Sequence, residues 1–132
     1  SMADMKGIKP LARIVAHATN SHEPNWFTTA PIGAITKVLD KSGWKKTDID
    51  LLEVNEAFSV VPMAVMKELS ISRDILNING GACALGHPVG ASGARIVATL
   101  INNLKSNKLK RGIASLCIGG GEATAISLEL TD

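Results

Sequence analysis

The chain has 132 residues, 45% hydrophobic and 20% charged, with a formal net charge of +2. That is one domain's worth of protein, with a core large enough to need no disulfide staples and a composition unlike a disordered tail. The balanced charge and the 3% aromatic content exclude a dedicated nucleic-acid binder or base-stacking platform, and no apolar run approaches the roughly 20 residues that cross a bilayer.

Ser1 before Met2 reads as a tag scar, so residues 1–6 are a scar plus N-terminal tail and residues 7–132 form the domain. No signal-peptide pattern occurs, and Cys83 and Cys117 are too few for a secreted disulfide framework. A cytoplasmic location is expected, or an organellar matrix if a targeting segment has been removed upstream.

Leu11 to Ala18 reads as a strand and Ser21 to Asn25, with Pro24, as a loop. Pro31 suits the first turn of a helix whose apolar stripe is Ile32, Ile35, Val38 and Leu39, ending at Ser42-Gly43. Leu51 to Val54 is a short strand. Phe58 to Leu69 is a second helix, with Pro62 tolerable in its first turn. Leu76 to Asn79 reads as a further strand before Gly80-Gly81. A third helix runs from about Ala91 to Leu104, apolar around enough of its circumference to predict burial on several sides. Ile113 to Cys117 and Ala123 to Leu130 are strands flanking Gly119-Gly120-Gly121. The order βαβαβαββ predicts an α/β fold: one mixed five-stranded sheet, helices on both faces, the last strand pair antiparallel.

Three clusters carry chemistry-bearing residues. Asn55-Glu56-Ala57-Phe58 leaves the carboxyl end of a predicted strand, where open α/β sheets place their sites. Asn55 there can hold a water or polarise a carbonyl; alternatively Asn55 or Glu56 caps the next helix. In the stretch from Asn79 to Gly93, Gly81 and Gly86 have phosphate-loop spacing, but His87 and Pro88 stand where Lys and Ser or Thr should follow. No dinucleotide-binding glycine fingerprint occurs either. What remains is His87, set by Pro88 between glycines: a general base and hydrogen-bond donor, or a satisfied loop histidine. Cys117-Ile118-Gly119-Gly120-Gly121 offers a thiolate nucleophile or base beside backbone N–H groups that can face an oxyanion. The same pattern also suits a buried apolar Cys before a glycine turn. His17 and His22 lack ligand-like spacing, so no metal is expected.

Asn55-Glu56-Ala57-Phe58, Gly86-His87-Pro88 and Cys117-Ile118-Gly119-Gly120-Gly121, in that order, resemble the C-terminal half of a thiolase. Lys9-Pro10-Leu11-Ala12-Arg13-Ile14 and Gly90-Ala91-Ser92-Gly93-Ala94-Arg95 extend the resemblance over essentially the whole chain. Gly121-Glu122-Ala123-Thr124-Ala125 is similar to the acetyl-CoA acetyltransferase branch.

The resemblance implies the thiolase domain fold and acyl transfer between CoA thioesters, acetyl-CoA and acetoacetyl-CoA or longer 3-ketoacyl-CoA, with no covalently bound cofactor. It implies that His87 activates a nucleophilic Cys and helps bind a thioester oxygen. Asn55 would hold the water completing that oxyanion site, Cys117 would move the α-proton of acetyl-CoA, and the Gly119 N–H would serve a second oxyanion site. Ala57, Phe58 and Phe27 would line the pantetheine arm. The family's nucleophilic Cys belongs to an N-terminal half that these residues do not include, and Cys83 is not at its position. The isolated chain is therefore expected to be inactive, to need the thiolase N-terminal domain as partner, and to work in a homo-oligomer, dimer or tetramer, without nucleic acid or membrane. Two other readings are a non-catalytic CoA-binding or partner-binding domain and a related condensing enzyme of the ketoacyl synthase type. The usual His-based set of the latter argues against it here.

Overall fold

A computed structural model describes residues 2–131. A short exposed helix, α1 (Met2–Met5), precedes strand β1 (Ala12–Ser21), which runs through a 3-10 helical turn at Pro24–Thr29 into α2 (Ala30–Ser42). Then follow β2 (Leu51–Val54), α3 (Val60–Leu69), the single-turn α4 (Ala82–Leu85), α5 (Ser92–Ser106), β3 (Arg111–Gly119) and β4 (Glu122–Leu130). Helix α2 stops where expected: Gly43 takes φ +66°, and the Trp44 N–H turns back to Leu39 O at 3.0 Å, closing the helix end as left-handed glycine caps do.

Among the described residues the sheet has four strands in the order β1-β4-β3-β2, with β2 parallel to β3 and the other neighbours antiparallel. The mixed sheet and the antiparallel last pair are as expected. The fifth strand, over Leu76 to Asn79, is not formed. Leu76 makes one parallel bridge to Leu52, and Asn77 then turns to φ +47°. Its carboxamide takes over the ladder: Val54 N–H donates to Asn77 Oδ1 and Asn77 Nδ2 donates to Val54 O, both at 2.8 Å. A side chain that satisfies both backbone groups removes the need for a paired strand.

Period-two alternation sorts the sheet residues between two cores. Leu52, Val54, Ile113, Cys117, Ala123 and Ala125 pack with α2 and α3, while Leu51, Ala114 and Leu128 pack with α5. Leu100 of α5 lies directly over Gly112, where an added Cβ would come within 2.7 Å of its Cδ1. Burial of α5 is narrower than expected. Ile96, Leu100 and Leu104 are enclosed, but Val97 and Ile101 stay half-buried and Ala98 is exposed. Beside α5, the sheet face leaves an apolar groove of about 340 Å³ lined by Ile14, His17, Val97, Leu116 and Ile126 among others. At the outer border of β1, Lys37 and Lys41 of α2 donate through Nζ to Thr19 O at 3.4 Å and His17 O at 3.1 Å. No helix among the described residues is long and apolar enough to cross a membrane.

Candidate active site

The strands β2 and β3 run parallel, and their carboxyl ends carry Asn55 and Cys117. The Asn55 N–H extends the β2–β3 ladder by one bond, to Ser115 O at 2.9 Å. Cys117 lies two residues further along β3, buried at 6% exposure. Burial pushes its thiol above the usual range. The turn that follows has positive φ at Gly119, Gly120 and Gly121 (+85°, +58° and +84°). At Gly121 a Cβ would fall 2.1 Å from His22 O, so glycine is required there on both counts. The thiol is thus buried ahead of a glycine turn between two strands, with Gly119 itself exposed.

Asn55 and His87, 32 residues apart, are brought together. Asn55 Nδ2 lies 3.4 Å from both ring nitrogens of His87, long for a hydrogen bond. His87 Nδ1 meets Ser92 Oγ at 2.5 Å, and the Ser92 hydroxyl donates to Pro88 O at 3.2 Å. A hydroxyl has one proton. With that proton on Pro88 O, Ser92 accepts from Nδ1–H, and Nε2 is the ring's acceptor, engaged only by the long 3.4 Å contact from Asn55 Nδ2 and so able to serve as a base. Asn55 is fully buried, and Arg95 Nη2 donates to its Oδ1 at 3.0 Å. Because a guanidinium has no acceptor, the oxygen must face Arg95 and the NH2 must face His87.

Neither Asn55 nor Glu56 caps the following helix. Ser59 stands at the start of α3 and makes no side-chain cap bond. Glu56 instead braces the glycine loop, accepting from Asn77 Nδ2 and from the Cys83 N–H of α4, both at 3.0 Å. Burial raises the Glu56 carboxyl, but these hydrogen bonds and Arg73 outweigh it and hold the group below the usual carboxylate range. Phe27 and Phe58 pair edge to face with ring centroids 6.1 Å apart; Phe58 remains 59% exposed, and Ala57 is half-buried against the α2–α3 core.

Ser92, Arg95 and Glu53 have site contacts that motif reading does not assign. Ser92 and Arg95 are three apart on the first turn of α5 and so share a face; that spacing is the signal available in the sequence. Glu53 is 2% exposed and accepts from Asn103 Nδ2 at 3.1 Å. Burial, partly offset by Arg95 and Asn103, pushes its carboxyl up to about 7.

The structure thus combines a mixed α/β sheet, a carboxamide and an imidazole converging at its carboxyl edge, and a buried thiol on the adjoining strand. Residues 8–130 match the family model for the thiolase C-terminal domain, and the chain belongs to that family. It is 46% identical to an acetyl-CoA acetyltransferase of Allochromatium vinosum, over 98% of this chain and 33% of the relative. The crystal structure of the Bacillus anthracis acetyl-CoA acetyltransferase matches with a TM-score of 0.96 and 46% identity, covering 98% of this chain and 33% of that one. The Acat5 thiolase from Ascaris suum, solved in complex with coenzyme A, matches with a TM-score of 0.93 and 45% identity, over 98% and 34% of the two chains. The chain therefore spans about a third of the length of these relatives.

Proposed function

We propose that this chain is the C-terminal catalytic part of an acetyl-CoA C-acetyltransferase, condensing two acetyl-CoA molecules to acetoacetyl-CoA and free CoA, or running the reverse. The observation that carries this reading is the convergence of Asn55 Nδ2 on His87 at 3.4 Å, with the carboxamide oriented by Arg95.

The residues divide the work as follows. His87 Nε2 takes the proton of a nucleophilic Cys supplied by the remainder of the enzyme, and that thiolate displaces CoA from acetyl-CoA to form a thioester. The protonated ring then has an Nε2–H to donate to a thioester oxygen, beside a water held by Asn55 Nδ2. Cys117 gives its proton to the departing CoA thiolate and, as the thiolate so formed, removes the α-proton of the second acetyl-CoA. The resulting enolate forms the carbon–carbon bond at the acyl carbon as the thioester C–S bond breaks, with the Gly119 N–H facing that oxygen. Cys117 is suited to a base that is separate from the nucleophile, because the acyl group occupies the latter. Ala57, Phe58 and Phe27 lie against the pantetheine arm, and the apolar groove beside α5 receives the N-terminal part of the enzyme.

Acetoacetyl-CoA cleavage by CoA tests this, measured for the chain alone and after mixing with the N-terminal two thirds of an acetyl-CoA acetyltransferase. Turnover is expected only in the mixture; Cys117→Ala and His87→Ala should each abolish it, and Asn55→Ala should lower it to a measurable residual rate. A stable complex without turnover would overturn the catalytic roles given to Asn55, His87 and Cys117. Steady turnover by the chain alone would show that no second nucleophile-bearing part is needed.

A further inference from the structure

We propose that Arg95 is a positioning residue that sets which end of the Asn55 carboxamide faces His87. This rests on the acyl-transfer reading of the site and adds a residue to it.

The two ends of an asparagine amide are nearly the same size, so packing alone does not choose between them; the hydrogen-bond partners do. Asn55 is fully buried, and its Oδ1 accepts from Arg95 Nη2 at 3.0 Å. Rotating the amide by half a turn would point NH2 at a guanidinium and place a carbonyl oxygen against His87, where a donor is needed for a developing oxyanion. Arg95 holds this orientation at a cost, since its Nε and Nη1 are buried without a hydrogen-bond partner.

The surroundings hold the guanidinium in place. Leu51, Glu53 and Asn55 alternate toward the α5 side of β2, so the buried Glu53 carboxyl lies on the same side as Asn55 and interacts with the charge of Arg95. Glu53 is fixed by Asn103 Nδ2 at 3.1 Å, and Asn103 Oδ1 by Asn79 Nδ2 at 2.7 Å. On the same helix turn as Arg95, Ser92 holds His87. The first turn of α5 thus grips both members of the pair.

The test uses the complemented enzyme. Arg95→Met should lower kcat by about 10- to 100-fold, the range expected for a misplaced catalytic group, with little change in KM for the CoA thioester. Combined with Asn55→Ala it should add nothing, and Arg95→Lys should recover part of the loss. Unchanged kcat in a folded Arg95→Met enzyme, or full additivity with Asn55→Ala, would overturn the proposal while the acyl-transfer reading stands. A wild-type mixture with no turnover, or one indifferent to Asn55→Ala, would overturn that reading instead. NMR of the Asn55 side-chain NH2 reads the orientation independently of activity, through cross-relaxation (NOE) between its protons and the His87 ring. Those NOEs should weaken in Arg95→Met, and in Arg95→Lys if the Met variant fails to fold; unchanged NOEs in the folded variant count against the proposal.

Discussion

Asn77 replaces a strand with one side chain. Its carboxamide gives Val54 both a donor and an acceptor at 2.8 Å, and it is 1% exposed. Asn77→Ala therefore orphans a buried N–H and a buried C=O next to the site. Urea unfolding should show a loss of about 2 kcal/mol or more; a loss no larger than that of an exposed substitution would mean water replaces the amide. Glu53 gives a prediction of opposite character. Its carboxyl is raised by burial to about 7 from an ordinary value of 4.5, so the folded state holds a proton that the unfolded chain has released between those pH values. Its contribution is full at the acid end and lost as pH rises through 7. Glu56, and Glu129 of β4, which is held low by hydrogen bonds from Arg13 at 2.6 Å and Arg111 at 3.1 Å, act the other way and lose their contribution as pH falls. Comparing wild type with Glu53→Gln isolates the Glu53 effect: the Gln variant should gain relative stability as pH rises from 5 to 8, roughly the span its titration covers. A constant difference across that span would show that Glu53 stays ionised throughout.

Elements whose cause is local are legible in the sequence, and those whose cause is tertiary are not. Helix α2 is readable because Pro31, the apolar stripe and Gly43 act within one segment. Asn55, His87 and Cys117 stand out because each is a chemically capable residue at a strand end or glycine loop. Leu76 to Asn79 looks like a strand by composition, yet Asn77 satisfies β2 through its side chain, a choice made by a residue 23 positions away. The spacing of Ser92 and Arg95 puts them on one helix face, but what that face meets emerges only when α5 is laid beside β2 and the His87 loop. That seating depends on Leu100, fully buried over Gly112. Leu100→Ala should cost about 2–5 kcal/mol in denaturant unfolding, as deletion of a buried leucine side chain does. Val97→Ala, at a half-buried position facing the open groove, should cost less. Equal losses would mean that both faces of α5 are covered.

At the scale of the whole chain, the apolar content read from the sequence exceeds what this domain encloses. Ile14 at 62% and Ile118 at 60% exposure lie on strands of a sheet whose α5 side is partly uncovered. An open apolar surface of this kind favours association. Sedimentation should show concentration-dependent self-association of the chain, reduced by Ile14→Glu and suppressed by the N-terminal part of an acetyl-CoA acetyltransferase. A strictly monomeric chain at high concentration would contradict this.

The lateral borders of the sheet determine what form such association takes. Lys37 and Lys41 occupy the outward carbonyls of Thr19 and His17 on β1, and Asn77 occupies both polar groups of Val54 on β2. A passing strand finds those ladder positions already taken, and lysines at a sheet border are a common defence against strand addition. The chain is thereby steered away from cross-β growth even when its greasy side is bare. Its aggregates should be stacks of folded domains that come apart once that side is covered, rather than fibrils that demand unfolding to reverse.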